Sequence, residues 1–172
     1  MDGNNNFKTH TMKKIFTLLV LTISFSMNAQ GYQYSTTVGN WGSAFGGGTT
    51  ANGGHSFAIN FQTQATGSNT FASGYQSVAS GGTSTALGFV SLASGLRAVA
   101  IGNYTTASNT VSVAIGHDVT ASGEHSVGLV AGTSATGSYS TAIGATTTAS
   151  GDVSTTMGHR TIASDYASVV IG

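Results

Sequence analysis

The chain has no cysteine and no proline. Without cysteine there are no disulfides and no thiolate metal sites, so a secreted form must be held by stacking or by other chains. Charge is also scarce. Only 6% of residues are charged and the formal net charge is zero, where ordinary domains carry roughly 25% charged residues. A neutral surface lacks the basic footprint of a nucleic-acid binder, and no nucleic-acid partner is expected. The missing charge is not replaced by apolar bulk. Ser, Thr, Ala and 25 glycines fill the difference.

Long apolar runs are absent except at the N-terminus. Met12, Lys13 and Lys14 form a basic start, and Ile15 to Phe25 is apolar except for Thr and Ser. Ser26, Met27, Asn28 and Ala29 then lead into Gln30. This is the layout of a secretory signal peptide with Ala29 at the cut. The run is short for a bilayer span, which needs about 20 apolar residues. Residues 1–29 therefore read as an upstream extension plus signal peptide, with Met12 as the natural start, and secretion is expected. Residues 30–43, with Tyr32, Tyr34 and Trp41, read as an N-terminal cap that hides an open strand edge. The register fills residues 44–172 and stops in mid-coil at Gly172, as in a truncated product.

What the chain does have is a period. Gly46, Gly74, Gly88, Gly102, Gly116, Gly144, Gly158 and Gly172 are spaced by multiples of fourteen, with Asn60 and Val130 in the gaps. Ala51, Ala65, Ala79, Ala93, Ala107, Ala121, Ala135, Ala149 and Ala163 run in step. A strict short period means that one structural unit repeats and stacks on its neighbour. Within a unit, Val113 and Ile115 alternate with Ser112 and Ala114, the period of a strand. Glycine at this density would also cost about 1 kcal/mol per helical site. The fold class read from this is all-β, a parallel β-solenoid of 14-residue coils. Each coil has two short strands, near Ser112–Ile115 and Asp118–Ala121, and glycine at two corners.

The second corner holds Gly53, Gly67, Gly81, Gly95, Gly123, Gly137 and Gly151, with Asn109 and Asp165 in the remaining coils. Asn and Asp best tolerate positive φ among non-glycine residues, so this corner is expected to be left-handed. The apolar columns through Val113 and through Ile101, Ile115 and Ile143 are expected to form the buried face. The column through Ala100, Ala114 and Ala142 is restricted to small residues and is expected to meet another backbone, in a neighbouring chain. Coils this thin bury little alone, so self-association with cyclic symmetry is expected.

Ser-Val-Ala-Ile-Gly at 112–116, Ser-Thr-Ala-Ile-Gly at 140–144 and Ala-Val-Ala-Ile-Gly at 98–102 resemble the head repeats of trimeric autotransporter adhesins, the YadA-like family. The resemblance implies a left-handed parallel β-roll and a homotrimeric, extracellular adhesin head on the cell surface. An extracellular matrix protein, a glycan or an abiotic surface is then the partner. The stalk and outer-membrane anchor of that family have no counterpart in these residues.

Site chemistry points away from catalysis. His117 and His159 share a column three coils apart, about 14 Å at strand spacing, too far to share a metal ion. Asp118, Glu124, Asp152 and Asp165 are isolated and read as solvated loop residues. Gly46-Gly47-Gly48 lacks the lysine of a phosphate loop, and no serine sits in a nucleophile elbow. No enzyme activity, catalytic residue, metal or cofactor is expected. One further column, Thr49, Thr63, Ser77, Ser91, Thr105, Val119, Thr133, Thr147 and Thr161, is a near-continuous hydroxyl ladder. As an exposed array it would resemble an ice-binding face, and a structural fibre is the other alternative to an adhesin.

Overall fold

A computed structural model of the chain describes residues 37–39 and 41–172. The expected signal peptide, residues 1–29, and residues 30–36 of the cap segment lie outside the described residues. The described part is a parallel β-solenoid without helix, made of two ten-stranded sheets. Strands are numbered in chain order, β1 to β20. The odd strands, from β1 (Thr37–Val38) through β13 (Thr120–Ala121) to β19 (Ile162–Ala163), form a narrow sheet. The even strands, from β2 (Ser43–Phe45) through β12 (Val113–His117) to β20 (Val169–Ile171), form a wider one.

The stride is constant. Val99 pairs with Val113, Val113 with Val127 and Val127 with Thr141. The register already includes β1 and β2, with Ser43 opposite Phe57 and, one residue short of the usual stride, Thr37 opposite Thr50.

The corners explain how so short a coil closes. Each has one residue with φ near 55°, and these residues are mostly not glycine. At the corner after β12, Asp118 has φ 54°, and the same column holds Val90 at 54° and Tyr104 at 53°. At the other corner His125 has φ 55°, and its column holds Val111 at 56° and Val153 at 60°. A left-handed non-glycine residue costs roughly 1–2 kcal/mol. The conformation turns each of these amides onto the preceding coil. Asp118 N–H donates to the Asn103 carbonyl at 2.8 Å, and His125 N–H to the Thr110 carbonyl at 2.9 Å. These bonds offset the strain in part, each contributing about 0.5–1.5 kcal/mol.

The glycine columns therefore need a second account. Gly116 combines φ 136° with close approach, since a Cβ there would lie 1.9 Å from the Val130 carbonyl oxygen. Gly123 has no left-handed φ, contrary to the expectation from Asn109 and Asp165. Its Cβ would fall 1.9 Å from the Gly137 carbonyl oxygen, so crowding between coils selects glycine there. Where Asn109 stands in this column, its Nδ2 crosses to the next coil and donates to the Ser122 carbonyl at 3.1 Å.

Burial inverts the expected faces. Ala100, Ala114 and Ala142 are fully buried inside the roll, together with the Ala51–Ala163 series. The small column meets the opposite wall of its own coil, not a neighbouring chain. Ile101, Ile115 and Ile143 point outward on the wide sheet and are half-buried or exposed. The interior is otherwise lined by hydroxyls. Ser112 and Ser126 donate from Oγ to the Asn109 and Gly123 carbonyls at 2.7 Å, closing the turn they follow.

Among the described residues nothing larger than Val119 is fully buried, so one methyl matters in this interior. Val119 replaces a hydroxyl residue in its column, and Gly128, opposite it, replaces alanine. A Cβ on Gly128 would lie 2.8 Å from Val119 Cγ1. Gly128→Ala is expected to destabilise by about 1–3 kcal/mol, and Val119→Thr in the same chain to recover most of that loss. A double-mutant cycle read by denaturant unfolding checks the coupling. Removing residues 102–115 should leave a folded roll one coil shorter, whereas removing seven residues should abolish the circular dichroism of the folded state.

Candidate binding surfaces

The roll presents two unlike faces because its side chains alternate about a small interior. On the wide sheet, two outward columns are apolar. One reads Phe57, Phe71, Thr85, Val99, Val113, Val127, Thr141, Thr155 and Val169. The other includes Ile59, Leu87, Ile101, Ile115, Leu129, Ile143, Met157 and Ile171, with Ser73 in the third rung. Phe71 is 38%, Ile115 37% and Met157 41% exposed. A continuous apolar stripe of this length is uncommon on a soluble monomer and marks an interaction surface.

Beyond the glycine column, the same strands end in a rim column of different chemistry. It reads Phe61, Tyr75, Phe89, Asn103, His117, Ala131, Ala145 and His159. The first three rings stack. Phe61 and Tyr75 have centroids 5.4 Å apart at 18°, and Tyr75 and Phe89 5.0 Å apart at 8°. Tyr104 closes the lower end edge-on, 5.4 Å from Phe89. The upper end opens into a groove of about 540 Å³ lined by Gly46, Gly47, Asn60, Phe61, Gly74 and Tyr75.

The narrow sheet faces outward with hydroxyls. Thr66, Ser80, Ser94, Ser108, Thr136, Ser150 and Ser164 are exposed in one column, whereas the next mixes half-buried Thr106, Thr120, Ser134 and Thr148 with Gln64, Val78, Leu92 and Ile162. This is not the ladder singled out from the sequence. Thr49, Thr63, Ser77, Ser91, Thr105, Thr133 and Thr147 are all within 1% of complete burial. They line the interior, so the ice-binding reading of that ladder falls. The sequence could not separate the two columns because both carry Ser and Thr at the same stride.

His117 and His159 lie in the rim column, three rungs apart. His125 stacks on Tyr139 with centroids 4.9 Å apart and planes at 2°, and its Nδ1 is 3.8 Å from Glu124 Oε1. Among the described residues, no three His, Cys, Asp or Glu side chains are grouped to hold a metal. No helix among them is long and apolar enough to cross a membrane.

The model of the YadA head domain repeat matches residues 65–91, 93–118 and 135–155. These coils are similar to YadA head repeats. The matched segments contain the Ala-Ile-Gly turns at 100–102, 114–116 and 142–144, where the inner alanine, outer isoleucine and strained glycine follow one another. No curated protein matches the chain.

Several buried hydroxyls have no hydrogen-bond partner, among them Thr133 Oγ1 and Thr147 Oγ1. Val119 occupies the same column without disturbing the register. Val119, however, faces Gly128, whereas Thr133 faces Ala142 at the same offset, so Thr133→Val is expected to destabilise by about 1–3 kcal/mol, and Ala142→Gly in the same chain to recover most of that loss. Thermal unfolding followed by circular dichroism reads the change.

Proposed function

We propose that this chain is the head of an extracellular adhesin in which three copies pack their wide-sheet apolar faces around a common axis. The observation that carries this reading is the stripe of Val, Ile and Leu running the length of the wide sheet. The roll has almost no apolar core of its own, and burying that stripe against equivalent stripes supplies one. A single face that must meet two neighbours closes naturally into a cyclic ring. The similarity to YadA head repeats supports both the assembly and its extracellular place. The basic start at Met12–Lys14 and the apolar run that follows support export.

In this arrangement the hydroxyl face of the narrow sheet looks outward on all three sides. Its column through Thr66, Ser80, Ser94 and Ser108 offers a small hydroxyl at each of these rungs, while the strand column beside it and the rim vary along the rod. Attachment then comes from many weak equivalent contacts on a matrix protein, a glycan or a solid surface.

Light scattering on the full chain should give three times the chain mass. Ile115→Glu together with Ile143→Glu should reduce it to the mass of one chain, since six carboxylates, three at each level, would be buried together. An Ala114→Val control, inside the roll, should lower stability without selectively splitting the assembly. A wild-type mass of one chain would remove the stripe's assigned role.

A further inference from the structure

The upper end of the aromatic stack is built differently from the rest of the roll. At the rung above Phe61 the rim column holds Gly47, and Gly47 O accepts from Gln62 N–H at 2.7 Å, which fixes that coil directly over the ring. Phe61 gives one face to Tyr75. Its other face looks onto a glycine and is bare. Gly46, Gly47 and Gly48 together supply backbone without side chains. The next column contributes Asn60, which is exposed and held at φ 92° where seven other coils place a glycine of positive φ. An asparagine backbone in that conformation is strained, and the strain delivers an amide beside the bare ring.

We infer that this groove is a subsite for one neutral pyranose unit of a glycan. The proposal rests on the adhesin reading and names the ligand class for it. A sugar ring has an apolar face of C–H bonds and a rim of hydroxyls. The C–H face suits the electron-rich face of Phe61. The hydroxyls suit the Asn60 amide, which both donates and accepts. No lining residue is charged, so an ionic ligand would find no counter-charge. The volume of about 540 Å³ lies within the range of small-ligand sites, though this one is an open groove. The guest continues the stack Phe61–Tyr75–Phe89 by one more ring. The groove spans the glycine and rim columns and stays outside the two apolar columns assigned to assembly.

Saturation-transfer NMR on the full-length chain tests this with lactose, cellobiose and maltose as neutral probes and sialyllactose as the charged comparator. Transfer is expected to the ring C–H protons of at least one neutral disaccharide. Phe61→Ala should weaken it about tenfold. Asn60→Gly restores the column's usual residue, cannot harm the coil, and should also weaken binding. Gly47→Phe places a ring where the rungs below carry one, and should abolish binding while leaving thermal stability and assembly mass unchanged. The proposal is overturned if no neutral disaccharide shows transfer, if binding survives Gly47→Phe, or if sialyllactose outcompetes lactose. It is equally overturned if Gly47→Phe changes the assembly mass, which would assign the groove to a neighbouring copy. Attachment of the rods to cells is read in parallel. Attachment without any sugar signal sinks the subsite and leaves the adhesin reading intact, whereas sugar binding without attachment does the reverse.

Discussion

Backbone hydrogen bonding at a fixed stride is the constraint on which the rest of the molecule depends. Each coil must return its chain in phase with the last, so that every strand amide meets a carbonyl of the adjacent coil. Fourteen residues leave room for strands of five and two residues, as in Val113–His117 and Thr120–Ala121. The remainder must turn twice. Left-handed residues at both corners are the local solution, and their amides join the same inter-coil ladder. The strain at Val90 or Val153 persists because the coils above and below over-determine the backbone.

The packing follows from that geometry. A coil turning so tightly encloses only small side chains, hence alanine, serine and threonine inside. Larger apolar residues have nowhere to go but outward. The wide sheet thus wears on its surface what an ordinary domain keeps within, and the narrow sheet wears hydroxyls. These two unlike faces are separated by the thickness of one coil.

Much of this was legible in the sequence, and the limits are instructive. The stride, the two strands per coil and the parallel stacking followed from Gly88 to Gly158 and from Ala51 to Ala163, since only one period satisfies both series. The direction of the side chains did not. Alternation at Val113, Ala114 and Ile115 says that two residues share a face and one opposes them, but not which is inside. Apolar character suggested Ile115, whereas the enclosed volume admits only Ala114. Positive φ was likewise misplaced at Gly123, because glycine answers both to backbone angle and to crowding, and composition alone does not distinguish them. The true left-handed columns hold Asp, His, Val, Tyr and Arg, a mixture with no compositional mark. The bare face of Phe61 also needed the register, since it depends on Gly47 lying one rung above.

The small interior also shapes the response to heat. Heat-capacity change on unfolding tracks the apolar surface that becomes wetted. Alanine methyls contribute little of it, and the outward Val, Ile and Phe side chains of a lone coil stack are already partly wet. In the proposed trimer the curvature of the stability profile would therefore arise mainly where separate copies meet, and cold or dilution would loosen the bundle before it unwound any single thread.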